Sequence, residues 1–187
     1  MKKGIIFMAM QVLLLVYVLS TIGCASVSTK HLDPNTPWQE QALVLVEQEV
    51  YGSTLINFTS YAQIAGVDTR SSTFTVMAGQ VCVIPAGRRT IYYQVRITEN
   101  GRTTIITPDD PFTPSFSITA DLEPGGRYVL ASYRSDVNLM TIEEYQVYWN
   151  THSNYASLSS STPEFLETNF NRRIVSKFEK AVAQLSK

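Results

Sequence analysis

The sequence predicts a mainly β chain, a single β-sandwich-like domain of antiparallel strands with one C-terminal amphipathic α-helix. Three observations carry this expectation. Ser, Thr, Tyr and Val are plentiful in runs that alternate apolar and polar residues, and branched or aromatic side chains suit a pleated, half-buried surface. Turn signals recur at intervals of roughly ten residues, the spacing of sandwich strands. Past Pro163 the apolar period changes from two to between three and four, which is the signature of an amphipathic helix.

The chain has 187 residues, a single-domain size once an N-terminal segment is set aside. It is 44% hydrophobic and 17% charged with a net charge of −1, so it lacks the basic footprint of a nucleic-acid binder. Met1-Lys2-Lys3 precedes GIIFMAMQVLLLVYVLSTIG, a run without charge. That run is long enough to span a bilayer and longer than the usual core of a secretory signal. A retained anchor therefore stays open beside a cleaved signal. The run closes on Thr21-Ile22-Gly23-Cys24. ASVSTKHLDPNTP follows with two prolines and no apolar periodicity, so residues 24–40 are expected to form a polar tether.

The domain is expected over residues 41–150. QALVLVEQ is continuously apolar in its middle and reads as a strand buried on both faces. A less regular stretch follows, with Leu55, Ile56 and Phe58 as core contributors. STFTVMAGQVCVIPAG gives two short strands separated by Ala78-Gly79. RTIYYQVRI alternates with Ile91, Tyr93, Val95 and Ile97 on one face. Asn100-Gly101 is a tight-hairpin dipeptide, since both central residues of a type I′ turn need positive φ, and it leads into RTTIIT. After the proline-rich PDDPFTP loop, SFSITADL alternates through Phe116, Ile118, Ala120 and Leu122. Glu123-Pro124-Gly125-Gly126 is a turn, with RYVLASYR as the expected hairpin partner. VNLMTIEEYQVYW reads either as a strand or as a strand followed by a short helix. Residues 151–162 form a Ser/Thr-rich loop. Ser161-Thr162-Pro163-Glu164 then starts a helix over 163–187, whose stripe Leu166, Phe170, Ile174, Phe178, Val182 and Leu185 packs on the domain.

No catalytic residue, metal site or cofactor site is predicted. The two histidines, His31 and His152, lie in the tether and in the Ser-rich loop, and there is no Gly-x-Ser-x-Gly elbow. Cys82 sits among apolar neighbours and reads as a small buried hydrophobe rather than a catalytic thiol. Asp109-Asp110 reads as a solvated turn. The candidate contact patch is Tyr145, Tyr148, Trp149, His152 and Tyr155, because aromatics beside amides stack on sugars or anchor protein interfaces. The competing reading turns Tyr145, Val147 and Trp149 to the core, with Tyr148 on the other face.

Two resemblances follow from these stretches. Thr21-Ile22-Gly23-Cys24 resembles the lipobox of bacterial lipoproteins. That resemblance implies a signal peptide over 1–23, cleavage before Cys24, a diacylglyceryl group on the Cys24 thiol and acylation of its new amino group. It places the protein in the bacterial cell envelope, held to a membrane by lipid, and Ala25 resembles the sorting signal for the outer membrane. VIPAGRRTIYYQV followed by LEPGGRYVL is similar to the small PEGA-like, transthyretin-like β-sandwich modules of surface lipoproteins. YAQIAGV stands where those modules carry an Ile-Asp-Gly turn, with Ala65 in place of the Asp. The expected role is non-catalytic binding or structure, with a protein or glycan partner. The alternatives are an accessory subunit of an envelope transport or enzyme complex, or a membrane-anchored enzyme.

Overall fold

All five residues of Ala42–Val46 are buried, because the strand they form lies in a sheet covered on both faces. The structure is a computed structural model, and it describes residues 27–53, 56–69, 76–106, 116–133, 136–152 and 162–187. Leu55, the strand expected just before Met77, Asp109-Asp110, Tyr155 and Cys24 lie outside them.

The first sheet has the order β1-β5-β2-β9-β10, formed by Val27–Ser28, Val81–Ile84, Ala42–Val46, Arg127–Tyr133 and Asp136–Thr141. The second places β3 (Gln48–Ser53), β4 (Ile56–Val67) and β6 (Gly87–Glu99) side by side. The far edge of β6 is shared by β7 (Arg102–Ile106) and β8 (Phe116–Leu122). Most pairs are antiparallel, while β1 with β5 and β2 with β9 run parallel.

Period-two alternation divides the apolar side chains of the first sheet between two cores. Val44, Val46, Cys82, Ile84 and Leu130 face the second sheet, where they meet Ala62, Ile64, Ile91 and Val95. Leu43, Leu45, Val81, Val83 and Val129 face the other way, onto Tyr145, Trp149, Phe170, Ile174 and Phe178 of a helical layer. The molecule is thus a two-sheet sandwich with helices on one outer face. Ile91, Tyr93, Val95 and Ile97 point into the sandwich, as the alternation predicted. Asn100 at φ 49° and Gly101 at φ 79° make the predicted hairpin turn.

Several local expectations change. The stretch after residue 47 is regular, two antiparallel strands paired from Gln48↔Tyr61 to Ser53↔Ile56. YAQIAGV is no turn. It lies inside β4, where the register shifts between Ile64 and Gly66. β8 and β9 are not hairpin partners, since β8 pairs with β6 while β9 pairs with β2 and β10. The turn between them crosses from one sheet to the other. It is pinned to the start of β2 by Leu43 N–H to the Gly126 carbonyl at 2.9 Å and Gly125 N–H to the Gln41 carbonyl at 3.2 Å. Gly125 has φ +70°, and a Cβ on Gly126 would lie 2.7 Å from Tyr128 Cε2. Positive φ therefore favours glycine at 125, and crowding by Tyr128 and the Glu123 carbonyl favours it at 126.

The expected tether is folded against the domain from Val27 onward. Val27 pairs with Val81 and Ser28 with Cys82. Gln41, fully buried, donates from Nε2 to the carbonyls of Asp33 at 2.9 Å and Thr36 at 2.7 Å, and its Oε1 accepts the Asp33 N–H at 2.9 Å. The Asp33 carboxylate accepts from Asn35 N–H and Thr36 Oγ1, which holds its pKa below the usual carboxylate value. Polar composition suggested solvent. The satisfied polar network is what lets this segment pack instead.

VNLMTIEEYQVYW resolves into β10 and helix α1 (Ile142–His152). The C-terminal helix runs as α2 (Pro163–Phe170), a π-helical turn (Asn171–Val175) and α3 (Ser176–Leu185). Thr162 caps α2, its Oγ1 accepting Phe165 N–H at 3.2 Å, with Pro163 in the first turn where no backbone N–H is needed. Phe170, Ile174 and Phe178 are spaced by four. On an ideal helix of 3.6 residues per turn that line drifts sideways. The wider π turn takes up the drift and keeps all three against the sheet.

Candidate functional site

The predicted patch falls on α1 and is divided by helical geometry. Thr141 and Glu144 form a capping box at its start: Thr141 N–H donates to Glu144 Oε2 at 2.8 Å, and Glu144 N–H donates to Thr141 Oγ1 at 3.2 Å. From there Tyr145 and Trp149, four apart, turn to the sheet and are 1% and 5% exposed. They meet Phe170 at centroid separations of 6.3 and 6.0 Å. These two are core residues and leave the patch, as the competing reading anticipated, but Val147, which that reading also turned inward, faces solvent because the segment is a helix and not a strand. Tyr148 is half-buried. It stacks on Tyr145 at 5.9 Å on one side and on the His152 ring at 4.5 Å, the planes nearly parallel, on the other. His152 Nδ1 lies 2.6 Å from Thr151 Oγ1. Val147, 68% exposed, stands free beside them. What reaches solvent is thus a strip of Val147, Tyr148 and His152.

An open cleft of about 340 Å³ lies where α1 begins, lined by Glu123, Gly125, Gly126, Arg127, Tyr128, Thr141, Ile142 and Glu143. The Tyr128 hydroxyl accepts Glu123 N–H at 2.8 Å and so shapes its wall. The lining offers carboxylates and one guanidinium, groups suited to holding a polar ligand by hydrogen bonds.

Sequence reasoning missed a second cluster altogether. Glu47, the single residue between β2 and β3, is 1% exposed. Its Oε1 accepts Arg173 Nε at 2.9 Å and its Oε2 accepts Lys177 Nζ at 2.7 Å. Arg173 also lies over the Trp149 ring at 5.8 Å. Arg173 and Lys177 sit one helical turn apart, so the wide turn and the start of α3 aim both cations at one carboxylate. The cluster rivets the helical layer to the point where the chain passes between sheets. The only local sign was an acid at the end of an apolar run.

Cys82 is fully buried between the sheets, and burial pushes its thiol from 9.0 up to about 12. It is therefore a packed, un-ionised side chain at neutral pH. His31 has its pKa lowered by burial and then by Lys30. Among the described residues no group of three His, Cys, Asp or Glu side chains is placed to hold a metal ion, and no helix is long and apolar enough to cross a membrane. Comparison with known proteins finds no matching family model, no matching curated protein and no matching solved structure.

Proposed function

We propose that this chain is a lipid-anchored protein of the bacterial cell envelope whose sandwich domain has a non-catalytic binding or structural role. One observation carries the reading: an uncharged run ending in Thr21-Ile22-Gly23-Cys24, followed within three residues by a folded domain that begins at Val27. The acyl chains implied at Cys24, two on the diacylglyceryl group and one on the amino group, would hold the protein firmly, because each buried methylene contributes about 0.8 kcal/mol and a single chain holds only marginally. The α1 strip of Val147, Tyr148 and His152 is the surface offered to a protein or glycan partner. Stacked rings and an exposed aliphatic group suit contact rather than chemistry.

The test is intact-mass analysis of the full chain expressed in a Gram-negative host. The expected product begins at Cys24 and carries the mass of the attached lipid. Cys24→Ala is expected to accumulate as an uncleaved, unlipidated precursor. Normal-sized mature protein released from the membrane by that variant would overturn the reading.

A further inference from the structure

The pairing of β1 fixes which end of the domain the anchor leaves from. Val27 is aligned with Val81, and Leu45 near the end of β2 is aligned with the same Val81. The chain therefore enters at the end of the first sheet where β2 finishes and β5 begins. Two elements mark that end. The turn Met77–Gln80 closes onto β2 through Gly79 N–H to the Val46 carbonyl at 2.7 Å and Val46 N–H to the Gln80 carbonyl at 3.0 Å. The Glu47–Arg173–Lys177 cluster follows one residue beyond Val46. The β6–β7 turn is at the same end, because Ser60 of β4 bonds Ser132 of β9 at 2.7 Å and pairs with Ile97 of β6. Gly87, Leu122 and Thr141 mark the opposite end. β6 alone, 13 residues long, puts about 40 Å between the two at ~3.3 Å per residue.

Three residues reach about 10 Å at most when fully extended. Cys24 is three residues from Val27, so its lipid cannot stand further than that from the entry point. Resting on the reading of Cys24 as the anchor, we infer that the bilayer surface is the occupant of this end of the domain. Met77 opens the tight turn there and is 54% exposed. Arg102 stands on this side beside Glu99, and Arg173 and Lys177 are held there by Glu47. The far end mixes Glu123 and Glu143 with Arg88, Arg89 and Arg127, so charge does not distinguish it. Connection length thus selects the orientation. Met77 and the β6–β7 turn rest on the headgroups, while the cleft at the start of α1 points away from the membrane.

The experiment uses the full chain, reconstituted into phosphatidylethanolamine–phosphatidylglycerol vesicles containing lipids brominated on their acyl chains. An environment-sensitive maleimide fluorophore is placed on Met77→Cys and, separately, on Glu123→Cys. Arg102→Cys and Asn35→Cys serve as a second near and far pair should either of the first fail to fold. Cys82 is buried and un-ionised, and a lipidated Cys24 is blocked, so only the introduced thiol reacts. Bromine quenching is expected to be several-fold stronger for the near probe of each pair. Equal quenching, or stronger quenching at the far end, with lipid found on Cys24 by mass, overturns the orientation and leaves the anchor standing. A mass showing neither lipid nor the apolar run removes both.

Discussion

Glu47 shows how much one carboxylate depends on its surroundings. At 1% exposure it has lost its hydration and is held by two cations that remain a quarter to a third exposed. Arg173→Ala or Lys177→Ala alone leaves one charge-assisted partner, and each is expected to cost about 1–2 kcal/mol. Removing both strands a buried charge, at about 3–5 kcal/mol. The double variant in urea melts at pH 7 should therefore exceed the sum of the singles, and strict additivity would mean that Glu47 rehydrates when unpaired. Cys82 makes a second residue-scale prediction. Its thiol should resist Ellman's reagent at pH 8 until the protein unfolds. Because its folded pKa lies above its unfolded one, its contribution to stability is complete below pH 9 and is lost as pH rises from 9.0 towards about 12. Cys82→Ala should flatten that alkaline decline. The burial of Cys82 was legible from its apolar neighbours. The Glu47 cluster was not, because its partners lie 126 and 130 residues away and no local pattern encodes such a meeting.

Elements with local chemistry were readable, and their partners were less so. The Thr162-Pro163 helix start and the Asn100-Gly101 hairpin depend on neighbours in sequence, and both are present. Thr141-Ile142-Glu143-Glu144 is also a local signal. Read as a capping box, it would have decided in favour of α1, and with it the inward turn of Tyr145 and Trp149. The turn at residues 123–126 shows the limit. Its glycines announce a reversal, yet whether a reversal joins neighbouring strands or crosses between sheets depends on what lies beside it, here the start of β2. The C-terminal helix contributes Phe170, Ile174, Phe178 and Ala181 to the second core, more than any single strand. Phe178→Ala is expected to cost about 3–5 kcal/mol in thermal or urea unfolding, because the cavity lies between a rigid sheet and an anchored helix and cannot collapse. A cost below 1 kcal/mol would mean that the helix detaches at little expense.

At the scale of the molecule, the sandwich class and the helix on its flank were legible because alternation and period survive in any β topology. The strand order was not, since it is fixed by pairs distant in sequence. The tether was misread for a related reason: polarity is a property of composition, whereas the Gln41 network that folds residues 33–36 onto the domain is a property of geometry. The parallel pairing of β2 with β9 has one more consequence. Leu43 takes its register from Arg127 and Val46 from Leu130, so the centre of the first sheet stays incomplete until most of the chain is available. Contacts of this separation pay their loop-closure entropy before any burial rewards it, which makes such folds slow to close. If the chain is exported N-terminus first, as proposed, that delay is useful. On the export proposed above, the pairing of β2 with β9 would close only once residues 127–130 had crossed.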